Sequence, residues 1–167
     1  AFRVHANRTE LNLTLAHGNL IAIGGYKAPY TFAHSGRTQV SLSNVVMPIA
    51  GTAGADPSTA GVLYQKAPTV GSIIGLALQS STALTGGSAT AEATILKRAS
   101  GAGEVFATGL TVVLGANTGG FTTYRATTQA RGLDNFSDAD AIGCRLTTTA
   151  AFAPTTAELA CTVIVEF

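Results

Sequence analysis

The sequence predicts an all-β chain: a jelly-roll β-sandwich with an N-terminal extended arm or small hairpin. Three observations predict it. Apolar residues recur at every second position in several short runs, the period of a strand with one buried face. Between the runs lie clusters of Gly, Ser, Thr, Asn and Pro, with 19 Gly among 167 residues, which is turn chemistry. Long Glu/Lys/Leu-rich segments of helical period are absent, and β-branched residues dominate.

Residues 1–37 read differently from the rest. After a basic decapeptide, Leu11, Leu13 and Leu15 alternate with Asn12, Thr14 and Ala16. His17-Gly18-Asn19 then leads into a second apolar run, 20–23, that stops at Gly24-Gly25. This is the pattern of a small hairpin or extended strand pair. Tyr26, Pro29, Tyr30 and Phe32 follow as an aromatic, Pro-marked connection. The division expected is therefore an arm over 1–37 and a jelly-roll domain over 38–167.

In that domain Val40, Leu42, Val45 and Val46 make a strand that stops at Pro48, and 51–61 (GTAGADPSTAG) is a loop of turn formers. Strands are then expected over 72–78, 90–96, 110–114, 121–129, 141–147 and 159–167, with Gly-rich or polar turns between them. Seven strands plus the arm's contribution give eight or nine. Short strands on this spacing suit a sandwich, and eight suit a jelly roll.

The last third is the most regular. Leu159, Cys161, Val163, Val165 and Phe167 alternate with Ala160, Thr162, Ile164 and Glu166, and Ile142, Cys144 and Leu146 repeat the pattern upstream. The two runs read as antiparallel neighbours, with Leu146 opposite Leu159 and Cys144 opposite Cys161. The final strand should lie inside a sheet. Two cysteines do not make a secreted disulfide framework. They read as small buried thiols, a cross-strand bond in that register being the alternative.

Composition narrows the function. Only 11% of residues are charged and 46% are hydrophobic, with no Trp, against roughly 25% charged in soluble domains. A neutral surface of Ala, Thr, Ser and Gly has little electrostatic protection against association, so partner subunits or a lattice should cover part of it. A net charge of +1 gives no support for a polyanion binder, and Lys97-Arg98 and Arg125 are too sparse for a nucleic-acid platform. No run approaches the ~18 apolar residues of a spanning helix. Ala1 suits removal of an initiator Met, and Phe2-Arg3-Val4-His5 is no signal core. A cytoplasmically made soluble protein is expected, with no nucleic-acid or membrane partner.

The charges are unevenly placed. Residues 1–37 carry Arg3, Arg8, Lys27 and Arg37 against Glu10, whereas 134–167 carry Asp134, Asp138, Asp140, Glu158 and Glu166 against Arg145. One reading is scatter over a neutral protein; the other is an arm that docks on an acidic surface of a neighbour. In the second, Arg3, Arg8, Tyr26, Tyr30 and Arg37 carry the partner contact.

Catalytic and metal sites find little support. His5, His17 and His34 all fall in the arm, at no short spacing with acidic or Cys partners. Counted from Asp134, a calcium loop would need Gly sixth and Glu twelfth, and finds Ala139 and Arg145. The acids of 134–140 (DNFSDAD) read instead as turn formers and backbone caps. There is no G-x-S-x-G, and Gly101 to Gly103 and Gly119-Gly120 lack the setting of a phosphate loop. With no convergent acid, base and nucleophile, neither an enzyme, a cofactor nor a metal is expected.

One resemblance adds to this. The phrase FSDADAIGCRLTT over 136–148, followed by FAPTTAEL over 152–159, resembles the last strands of jelly-roll domains in tailed-phage virion proteins. There a phrase like F-x-A-G-D-x-I-G-x-R-L leads through a small-residue Pro-Thr-Thr loop into a closing strand. SIIGL over 72–76 and ALTGGSAT over 83–90 look like the same domain's beginning, so the likeness covers about 62–167. The chain departs at Asp138-Ala139-Asp140, where the usual Gly is missing, which bears on that turn's geometry. Such domains are similar to trimeric jelly rolls of the complement and tumour-necrosis-factor type. The resemblance implies a homotrimer in the virion, made in the host cytoplasm. It implies a phage capsid decoration (cement) protein at the capsid surface, whose partner is the major capsid protein or another virion protein. The alternative is a receptor- or glycan-binding head of a tail fibre or adhesin.

Overall fold

A computed structural model describes residues 12–16, 19–23, 27–34, 41–49, 63–85, 87–100, 106–115 and 123–167. Twelve strands and no helix appear among them. β1 (Asn12–Ala16) and β2 (Asn19–Ile23) form an antiparallel pair with Ala16 opposite Asn19, the hairpin that the Leu alternation and His17-Gly18 predict.

Two antiparallel sheets make the body. In the first, β12 (Leu159–Glu166) lies between β3 (Lys27–His34) and β6 (Gly71–Ser80). The far edge of β6 is shared end to end by β9 (Tyr124–Thr128) and β10 (Asp134–Phe136). In the second, β11 (Ala141–Thr148) lies between β7 (Thr90–Arg98) and an edge shared by β4 (Val45–Met47) and β5 (Gln65–Lys66). β8 (Phe106–Gly115) closes that sheet beyond β7. With each split edge taken as one position, the chain visits eight positions. It orders them first-eighth-third-sixth in one sheet and second-seventh-fourth-fifth in the other. That is a jelly roll, two interleaved Greek keys.

The core lies between the sheets. Leu159, Cys161, Val163 and Val165 of β12 are buried and face Ile142, Cys144 and Leu146 of β11, as the alternation predicts. Phe32, Leu76 and Ile95 are fully buried among them; each such side chain contributes about 1.5–3 kcal/mol of transfer free energy.

Three elements differ from expectation. β11 and β12 are not antiparallel neighbours: β11 pairs β7, β4 and β5, whereas β12 pairs β6 and β3. Their link carries the chain over the end of the sandwich, fixed by buried Phe152 and Ala157 on either side of a cis Ala153–Pro154 bond. Each strand thereby gains a pairing partner on both edges. Cys144 and Cys161 still meet, but across the core as an inter-sheet disulfide with Cα atoms 6.9 Å apart; they are buried, as expected of core cysteines, but bonded, not free. Lys27–His34, expected within the arm, is an edge strand hydrogen-bonded along the whole of β12. Pro29 is tolerated there because an edge strand leaves alternate N–H groups unpaired by its sheet.

Candidate functional site

Of the residues expected to carry the partner contact, Arg3, Arg8, Tyr26 and Arg37 lie outside the described residues, as does the loop 51–61. Tyr30 is placed on β3 opposite Val163. Its half-buried ring packs against the core and lines a shallow groove with Phe32, Ile49 and Gln65. Burial pushes its phenol pKa up.

Two carboxylates of the acidic cluster, Asp134 and Asp140, are taken up by the chain's own donors. The Asp140 carboxylate accepts hydrogen bonds from the backbone N–H groups of Ser137 and Ser100, both at 2.8 Å. These bonds hold its pKa below the usual carboxylate value, with Lys97 adding a smaller effect in the same direction. Asp134 accepts from Gln129 Nε2 at 2.7 Å. Ala139 sits in the left-handed region with φ 64°. A Gly would hold this conformation without strain, whereas Ala139 carries a backbone cost of about 1–2 kcal/mol.

What the strands do assemble is a pair of contrasting outer faces. On the first sheet the outward residues of β12 define three rows. Ile164 lies between Pro29 and Gly75, Thr162 between Thr31 and Ala77, and Ala160 between Ala33 and Gln79. β9 extends the rows with Thr128, Ala126 and Tyr124. No charged residue occurs in them. Charge begins only one row further along, where Glu166 lies opposite Lys27 and pairs with Arg131 at 3.3 Å.

The second sheet is the opposite. Its outward positions include Glu92 beside Thr147, Arg145 beside Val46, and Arg98 and Lys66 flanking Ala141. Between them the backbone of Gly143 is covered, since a Cβ there would lie 2.7 Å from the Tyr64 ring. That segment crosses the sheet and explains why Gly follows Ile142.

The flanks of the sandwich carry shallow grooves. One, of about 290 Å³, runs where the edge strands β8 and β9 face each other, lined by Thr111, Val113, Arg125 and Thr127. Val113 is 37% exposed on this flank, and Tyr124 of β9 is 50% exposed. The contrast between the faces was beyond sequence reasoning. Ala160, Thr162 and Ile164 are visible as the outward half of an alternation, but their row-mates come from three distant strands.

No protein-family model and no curated protein matches the chain. Among solved structures, a chain of Desmodium yellow mottle tymovirus is similar at 9% identity and TM-score 0.36, covering 98% of this chain and 95% of that one. A chain of infectious bursal disease virus, Gx strain, is similar at 16% identity and TM-score 0.34, covering 93% and 36%. A chain of the empty head of turnip yellow mosaic virus is similar at 9% identity and TM-score 0.31, covering 96% and 89%. Likenesses at these scores carry no functional weight, and the fold rests on strand order and register.

Proposed function

We propose that this chain is a structural virion component, a phage capsid decoration (cement) protein that seats on the assembled head as a homotrimer. The observation that carries the reading is the uncharged outer face of the first sheet, set against a charged face on the second. A neutral surface that exposes Pro29, Thr31, Ala126 and Thr128 serves burial against protein better than it serves solubility. Function then consists of burial and not of bond chemistry. A protein that binds the closed shell and not its unfolded or dissociated parts stabilises that shell by mass action. Residues 1–26, with Arg3 and Arg8, together with Arg37, would add contacts to the major capsid protein or another virion protein. Shells purified with and without the protein test this. The protein-free shell should fail at lower temperature or internal pressure and recover on add-back; equal robustness would remove the cement role.

A second reading, a glycan- or receptor-binding fibre head, is favoured by Tyr124, half exposed on β9 opposite Gln79, since aromatic rings next to polar groups suit sugars. Labelling of intact virions separates the two, the head for the first and the tail tip for the second.

A further inference from the structure

Resting on that reading and deepening it, we infer that the excursion between β9 and β10 anchors the chain on the shell: Leu133 enters an apolar pocket of a shell protein, and Arg131 meets a carboxylate at its rim. The excursion follows from register. Thr128 lies opposite Gly75 and Asp134 opposite Ile73, so the five residues 129–133 stand opposite Ile74 alone and must leave the sheet. Residues 130–133 are all exposed. Leu133, at 70%, is the most exposed large apolar side chain among the described residues.

Single apolar residues at a surface are ordinary, and an excursion that only blunted a sheet edge would serve better with charge or Pro at that place. Two features set Leu133 apart. The first is a turn built to hold one shape. Gln129 donates its backbone N–H to the Ile74 carbonyl at 3.0 Å and its Nε2 to the Ile73 carbonyl at 2.9 Å. Gly132, whose φ of 94° suits glycine, donates to Ser72 Oγ and accepts from Asn135 Nδ2, both at 3.2 Å. Leu133 is thus ordered before a partner arrives, which lowers the entropy lost on binding.

The second feature is the cation beside it, and it selects the partner. Arg131 gives Nη1 to Glu166 at 3.3 Å and its side chain is 52% exposed. The rest of its planar fork can take a second carboxylate. The two grooves of this chain do not fit it. The one between β8 and β9 holds Arg125, a like charge, and the one beside β3 has Gln65 with Lys66 next to it and no carboxylate in its lining. An acid-rimmed apolar pocket on a different protein fits both side chains.

The test is co-sedimentation of the full chain, over a range of concentrations, with shells purified without it. Leu133→Ala should bind at least about ten-fold more weakly, the loss expected when a buried leucine is truncated. Its melting temperature should stay that of wild type, because the side chain is exposed in the free chain. Leu133→Met should bind nearly as wild type. Arg131→Gln should bind more weakly and with a flatter dependence on salt. Val113→Ala, on the second sheet, should bind normally. If wild type binds and folded Leu133→Ala binds equally well, the anchor is overturned and the cement role stands. An unchanged salt dependence in Arg131→Gln overturns the acidic rim. If wild type binds no shell, the cement role fails and the anchor falls with it.

Discussion

Reduction of the Cys144–Cys161 bond should weaken the fold by an amount the loop length sets. The bond joins β11 to β12 across the core at a sequence separation of 17 residues. Closing a loop of that size removes unfolded-state entropy worth about 3 kcal/mol at 25 °C. Both cysteines are fully buried, and as reduced thiols they remain small apolar fillers, so the native packing should survive and the loss should be close to that figure. With a urea m-value of about 2 kcal/mol/M, the midpoint should fall by roughly 1.5 M. The assay is paired urea titration with and without reductant, followed by native circular dichroism and by alkylation in denaturant. Oxidised protein should take up no iodoacetamide and reduced protein two equivalents. Two equivalents without reductant, or a midpoint that reduction leaves in place, would refute the reasoning. Cytoplasmic thiols are kept reduced, so a chain made there should fold first as the dithiol and lock later.

Three further outcomes follow from the geometry. Gly143→Ala should cost about 1–3 kcal/mol, because the new methyl would meet the Tyr64 ring at 2.7 Å; Tyr64→Ala in the same chain should restore part of it, read by thermal melting. Asp140 has a lowered folded pKa. Its contribution is present above the unfolded value near 3.8 and is lost as pH falls through the folded value, so stability against pH below 4 should be flatter in Asp140→Asn. Deleting residues 1–26 should leave a folded sandwich, whereas deleting 1–37 removes β3, exposes the edge of β12 and empties the site of fully buried Phe32. The second deletion should lose at least the 3–5 kcal/mol of a buried aromatic, measured by urea unfolding.

Legibility in the sequence followed the range of the interactions. β11 and β12 were plain because each buries one face, and Ile142, Cys144 and Leu146 or Leu159, Cys161 and Val163 mark that face within a few residues. Which strands they pair with is a non-local matter, and the hairpin reading failed because no local signal says that Phe152 and Ala157 anchor a crossing between sheets. β3 read as a connection because Pro29 argues against a central strand, while the edge position that admits it depends on β12. β5 and β10, of two and three residues, are too short to show a period. The candidate face needs the register of β3, β12, β6 and β9 together, so its individual residues look like ordinary outward Thr and Ala.

The position of β12 has a kinetic consequence. It separates β3 from β6, strands of the first half of the sequence that touch it on either side, while β12 itself comes from the far end of the chain. The centre of the first sheet therefore cannot form by extension from a hairpin and must wait until Leu159–Glu166 is in place. Folding dominated by such distant pairings runs in milliseconds to seconds, not microseconds. Until then β3 and β6 present open edges, with Ile73, Leu76 and Leu78 uncovered. Concentration during refolding, more than final stability, should govern how much of the chain reaches its sandwich and how much aggregates.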